Sequence, residues 1–182
     1  MAISSNRFIA LLTLAAALVW ILFSRVPAAA LSSQTEVAPQ KGFIAPDLSL
    51  ETPQGERIEL SALRGKPLIL NFWASWCPPC RAEMPTLQAL HERYGSEFVL
   101  LGINASTQDS LPKAYQLIAE LNLTFPILLD SNGTAVSAYR VFSLPTTFFI
   151  DRQGIIRDVV VGGPLSEASL RARLEPLIAE RP

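Results

Sequence analysis

Two cysteines occur in the chain, and they stand three positions apart in Cys77-Pro78-Pro79-Cys80. Their setting constrains the fold more than any other feature. Before them runs Leu68-Ile69-Leu70-Asn71-Phe72-Trp73, a short and nearly continuous apolar stretch suited to a strand buried on both faces. After them, Pro78 to Tyr94 reads as a helix, with proline at its start, Leu87 and Leu90 on one face and Gly95 beyond its end. Pro85 lies inside that segment, lacks an N–H and is expected to kink it. A bridge between cysteines this close would shut almost no loop, so it would remove little entropy from the unfolded chain. Domains stapled by disulfides spread their cysteines instead. The pair is therefore chemical rather than architectural.

The junction explains the chemistry. The unpaired N–H groups and positive dipole end of a helix favour a thiolate over a thiol, and the thiolate is the attacking species in disulfide exchange. Cys77, at the helix start, is the expected nucleophile. Cys80, one turn on and more buried, is expected to resolve the mixed disulfide. Pro78 and Pro79 have no N–H, so the nearest backbone donor for the Cys77 sulfur is that of Cys80. A zinc half-site is the competing reading, but zinc takes four N or S ligands and only His91 could add a third. A copper site would have Met84 as its one nearby thioether. No metal and no cofactor are expected.

The remaining pattern alternates strands and helices. Residues 47–50 and 57–60 alternate in polarity around Thr52-Pro53-Gln54-Gly55 and read as a β-hairpin, with one helical turn at Ser61-Ala62-Leu63. Strands follow at 98–103, 127–129, 146–150 and 155–161, the last two joined by Asp151-Arg152-Gln153-Gly154. Helices are expected at 111–121, 134–139 and 166–180, the last capped by Ser166. The order favours an α/β sandwich, a mostly parallel sheet with an antiparallel edge and helices on both faces.

At the N-terminus, Arg7 precedes an apolar run from Phe8 to Phe23 broken only by Thr13. As a helix this run spans about 24 Å, a little less than a bilayer core of about 30 Å. Ala28-Ala29-Ala30 then supplies a small-residue cleavage pattern. Residues 1–30 thus read as a signal-anchor retained in the membrane or as a signal peptide removed, residues 31–42 as a polar linker, and 43–182 as the domain. Either way the domain is exported, as a single-pass membrane protein facing outward or as a secreted or periplasmic one. Net charge is −1, from 15 Lys and Arg against 16 Asp and Glu, which leaves no electrostatic footprint for nucleic acid.

The segment from Asn71 through Trp76, Cys77 and Cys80 to Pro85 resembles the active-site segment of TlpA/ResA-type thioredoxin-like proteins. Leu144-Pro145-Thr146-Thr147-Phe148-Phe149-Ile150-Asp151 is similar to their later cis-proline segment. The resemblance runs from about Lys41 to Leu177. It implies a thioredoxin-like three-layer sandwich with an N-terminal β-hairpin and a central βα insertion, preceded here by the apolar helix. It also implies a monomeric disulfide reductase or exchange factor, with cysteine-containing proteins as substrates, a membrane or exported thiol as electron donor, and cytochrome c maturation as the best-known role. Pro145 becomes the cis-proline facing the cysteines, leaving the Leu144 backbone free to pair edgewise with substrate. Trp76 joins this docking surface and Trp73 the core.

Proton chemistry departs from the pattern. Thioredoxins proper carry a buried Asp where this chain has Asn71, which takes no proton. Related proteins of cytochrome c maturation have a tuning acid at the position of Glu83; the alternative is a solvated helix residue near Arg81. ResA-like proteins also have a Glu in the loop after the next strand, where this chain has Asn104-Ala105-Ser106-Thr107-Gln108-Asp109, and Asp109 is not expected to replace it. His91 reads as a surface residue. Two rival functions remain: a peroxiredoxin-like thiol peroxidase, which wants Thr-x₂-Cys where this chain has Ala74 three before Cys77, and a copper metallochaperone.

Overall fold

The computed structural model describes residues 36–180 and, nearer the N-terminus, Thr13, Leu14, Ala16 and Trp20, which are helical. The expected signal or anchor at 1–30 and the first half of the expected linker otherwise lie outside the described residues. Among the described residues no helix is long and apolar enough to cross a membrane.

All six residues of β3 (Leu68–Trp73) are buried, as a strand with neighbours on both edges and layers on both faces requires. It pairs in parallel with β4 (Val99–Asn104) and antiparallel with β6 (Thr146–Ile150). Beyond β4 lies β5 (Ile127–Leu129), and beyond β6 the edge strand β7 (Ile156–Val161). The hairpin strands β1 (Ser49–Glu51) and β2 (Arg57–Glu59) complete the order β2-β1-β5-β4-β3-β6-β7. Among the described strands, only β3–β4 and β4–β5 pair in parallel. This corrects the expected mostly parallel sheet: the hairpin adds to β5 antiparallel, and β6 enters beside β3 in the reverse direction.

Strand alternation sends side chains to two cores. Ile69 and Trp73 pack with Met84, Leu87 and Leu90 of α1 (Pro78–Tyr94), Leu117 of α2 (Leu111–Glu120) and the Leu170–Leu174–Leu177 stripe of α4 (Glu167–Ala179). Leu68, Leu70 and Phe72 face the other way, toward Ala135 of α3 (Thr134–Ala138) and Tyr139. There Phe72, Tyr139 and Phe148 meet with ring centroids 4.9 to 5.8 Å apart, and the Tyr139 hydroxyl donates to the Pro46 carbonyl at 2.7 Å. Burial pushes the Tyr139 hydroxyl far above its ordinary pKa, with the nearby Asp47 carboxylate adding to the effect.

Local signals account for the ends of the elements. Ser166 caps α4 by accepting from the Ser169 N–H at 3.2 Å. α1 runs unbroken through Pro85. Within the stretch read as a linker, residues 36–42 are tied to the domain: the Gly42 N–H donates to the Ile156 carbonyl and the Ala38 N–H to that of Ile44.

One consequence of the topology positions the site. Parallel β3, β4 and β5 deliver their C-terminal ends to one rim of the sheet, and antiparallel β6 brings its N-terminal end to the same rim. Residues 74–80, 104–109 and 143–147 therefore converge, although about 70 positions separate the first and last of them.

Candidate active site

Cys77 is the N-cap of α1, with extended backbone, and its sulfur accepts from the Cys80 N–H at 3.3 Å. With prolines at the first two helical positions, this is the nearest donor the turn can offer. Cys77 and Cys80 are disulfide-bonded, with Cα atoms 5.3 Å apart, and both are buried. Cys77 keeps 2% exposure and Cys80 none, and Pro78, next to Cys77, is exposed.

Glu83 sits one helical turn beyond Cys80, completely buried, on the α1 face that also carries Leu87 and Leu90. The reading of it as a solvated residue near Arg81 is overturned: Arg81 turns outward to Glu120, 3.5 Å away, while Glu83 points into the domain. The Asn71 side-chain amide donates to one carboxylate oxygen at 2.7 Å, and the Leu165 backbone N–H donates to the other at 3.1 Å. Burial, the larger influence, pushes the Glu83 carboxyl above its ordinary pKa of 4.5 against the opposing pull of those two hydrogen bonds. Asn71 also donates to the Thr147 hydroxyl at 3.0 Å, and its own carbonyl oxygen is buried without a partner.

The Leu144–Pro145 peptide is cis, and Pro145 is buried at the start of β6. Its carbonyl accepts from the Gly162 N–H at 2.8 Å, tying the proline to the segment after β7. A second cis peptide, Gly163–Pro164, lies in that segment. Sequence reasoning missed it.

Trp76 is 55% exposed and its indole N–H donates to the Gln108 carbonyl at 2.8 Å, whereas Trp73 is fully buried. Trp76, Gln108, Val136, Val141, Phe142 and Leu144 line an open groove of about 380 Å³. Phe142 on its wall is 94% exposed, an unusual state for so large an apolar side chain.

Asp109, in the loop after β4 where ResA-like proteins carry a Glu, is engaged in a structural contact. Its carboxylate accepts from the Ser75 backbone and hydroxyl and from Asn104 at 2.8 Å, fastening the loop after β4 to the segment before Cys77. Partial burial works to raise its pKa. Hydrogen bonds from the Ser75 hydroxyl and Asn104, with the N–H groups of Ser75 and Ser110, outweigh that and hold the carboxyl below 3.8. His91 is half-buried rather than on the surface, its ring edge-on to Phe125 at 6.1 Å and its Nδ1 enclosed without a partner. Among the described residues no cluster of three or more His, Cys, Asp or Glu could hold a metal ion.

The spacing of Glu83, Leu87 and Leu90 could have located the buried acid, because positions i, i+4 and i+7 share one helix face. No local signal pointed to the contact between Asp109 and Ser75, which lie 34 residues apart.

Comparison with known proteins agrees with this geometry. Residues 42–159 match the model of the AhpC/TSA family. The chain is 41% identical to the thioredoxin-like protein YneN of Bacillus subtilis over 71% of its own length and 76% of the relative's. It is 36% identical to the thiol-disulfide oxidoreductase ResA of Oceanobacillus iheyensis, covering 86% of this chain and 82% of that one. A crystal structure of a putative thiol:disulfide interchange protein DsbE from Chlorobium tepidum superposes with a TM-score of 0.71 at 30% identity. That match covers 77% of this chain and 99% of the other.

Proposed function

This chain belongs to the AhpC/TSA family and is a TlpA/ResA-like thiol–disulfide oxidoreductase, and on that premise we propose that it reduces disulfides in other proteins outside the cytoplasm. The observation that carries the reading is the Cys77–Cys80 disulfide at the start of α1, with Cys77 as the N-cap and next in the chain to Trp76 of the open groove, and Cys80 fully buried one turn on. In the reduced protein the Cys77 thiolate attacks one sulfur of a substrate disulfide. A mixed disulfide forms and the other substrate sulfur leaves as a thiolate. The Cys80 thiol then gives up its proton and attacks the Cys77 sulfur, breaking its bond to the substrate sulfur attacked first, which leaves as a thiolate. Two electrons have passed to the substrate, and the protein is left with its Cys77–Cys80 bond. An exported or membrane-held thiol donor returns it to the dithiol.

Glu83 is the proton partner for Cys80 in this scheme. It is a buried carboxyl on the next turn, with a pKa raised toward the working range of a general base. Leu144 and Pro145 present backbone to an extended substrate segment, and Trp76 and Phe142 contact its side chains. The sequence features of residues 1–30 support tethering at the membrane with the domain outside, and the likeness to ResA supports a place in cytochrome c maturation.

Cys77→Ser is expected to abolish reduction of insulin disulfides, and Cys80→Ser to accumulate mixed disulfides with substrate. Full activity in both variants would exclude the mechanism. The direction of electron flow is read from the reduction potential: a value near the roughly −270 mV of thioredoxin supports a reductase, and one near about −120 mV, as for a strong oxidant, refutes it. The mass of the native protein tests the tether, with loss of residues 1–30 arguing against it.

A further inference from the structure

We infer that Gly163 is a positioning residue, whose bare Cα forms the wall that seats the Glu83 carboxyl between the Leu165 N–H and Pro145. The inference rests on the reading of Glu83 as the proton partner of Cys80. A Cβ built on Gly163 would lie 2.6 Å from a Glu83 carboxylate oxygen and 2.7 Å from Cγ of Pro145. Real Cβ contacts do not come so close. The φ of Gly163 lies outside the left-handed region, so its backbone does not call for glycine; space does. Gly163 is itself exposed, while the carboxyl directly behind it is completely buried.

The surrounding contacts make this segment a strap. The Gly162 N–H holds the Pro145 carbonyl, Gly163 lies against both the proline ring and the acid, and the Leu165 N–H holds the acid. One short segment thus touches the docking proline and the buried carboxyl together. The groups facing the carboxyl are Asn71 from β3, the Leu165 N–H, Gly163 and Pro145, none of which titrates. On its own helix the neighbouring titratable groups are the Cys80 thiol, when reduced, and Arg81, which is paired outward with Glu120. A methyl group at position 163 has one soft target, because the carboxylate ends a flexible side chain. Moving it loosens the bonds from Leu165 and Asn71 that favour its ionised form, so the carboxyl must protonate more readily.

The test compares wild type, Glu83→Gln, Gly163→Ala and the double variant. It follows the ¹³Cδ titration of labelled glutamate, assigned by its loss in Glu83→Gln, together with the pH profile of disulfide exchange. Gly163→Ala is expected to raise the Glu83 titration midpoint by about one pH unit, a tenfold change in the ionisation constant. The pH profile should shift with it, and in the Glu83→Gln background the alanine should leave the profile unmoved. An unchanged midpoint overturns the inference, as does an equal shift of the profile in both backgrounds. Should Glu83→Gln itself leave the profile as in wild type, the proton-partner reading fails, while the midpoint still decides the role of Gly163. If Gly163→Ala does not fold, Glu83→Ala/Gly163→Ala removes the obstructing carboxyl. Recovery of folding supports the seat, and failure to recover assigns the clash to Pro145 and refutes it.

Discussion

Replacing Asn71 by Asp exchanges the amide nitrogen that touches Glu83 for an oxygen of nearly the same size. The new carboxyl would stand about 2.7 Å from a Glu83 oxygen, the distance of the present hydrogen bond. If both groups were charged, their repulsion would be about 6 kcal/mol at an effective dielectric of about 20. Protonating one carboxyl of ordinary pKa 4.5 at pH 7 costs about 3.4 kcal/mol. Repulsion exceeds that cost, so the pair keeps one proton at neutral pH and titrates as a unit. Its folded pKa is raised above the unfolded value, so the stability it confers is complete below about pH 4.5 and is lost as pH rises through the folded value. Glu83 is already displaced in that direction in the wild type, so the extra loss by pH 7 stays below the protonation cost of about 3.4 kcal/mol. Urea unfolding of both proteins from pH 4.5 to 8.5 measures it directly. Asn71→Asp should be nearly as stable as wild type at the acid end and fall progressively behind toward neutrality. Parallel curves for the two proteins across this range would show that residue 71 does not face the carboxyl of Glu83.

Other perturbations probe the rim and the core. Asp109→Ala strands the Ser75 N–H and Asn104 and should destabilise by about 1–2 kcal/mol, a figure held down by partial exposure. Because the Asp109 carboxyl titrates below 3.8, this difference should be full above that pH and vanish as acid takes the folded-state pKa, which urea titrations at pH 2.5 and 6 will check. Phe142→Ser should leave the thermal midpoint within a degree or two while lowering kcat/KM severalfold for protein disulfides and not for a small aromatic disulfide. Equal loss on both substrates would remove Phe142 from docking. Gly102→Ala places a methyl 2.7 Å from Ile127 and 2.9 Å from Phe125 in a closed core, and should cost about 1–3 kcal/mol by chemical denaturation.

Features carried by local sequence were legible in advance. The helix from Pro78 to Tyr94, the strand Ile127–Leu129 and the Cys80 N–H as the nearest backbone donor to the Cys77 sulfur all follow from proline, glycine and apolar spacing. The contrast between buried Trp73 and exposed Trp76 follows too, since one ends a buried strand and the other enters a loop. The failures share a cause. Antiparallel entry of β6 beside β3 and the reach of Asp109 to Ser75 join residues far apart in the chain, where no local pattern constrains them. Glu83 is a different case. Its burial was written in helical spacing, but an acid on an apolar stripe reads as solvated until a partner such as Asn71 is known to satisfy it.

β3 carries ladder partners along its length on both sides, β4 on one edge and β6 on the other. In amide hydrogen exchange such a central strand opens only when the whole domain does. The segment bearing Cys77 and Cys80 springs from its end, so the cysteines change covalent partners on the slowest-opening platform in the molecule. The amides of Ile69 to Phe72 should therefore report the same global opening free energy whichever cysteine is engaged. Each turnover can then involve intermolecular bonding without passing through a partly unfolded domain, and exchange faster than that limit should be confined to the loops of the rim.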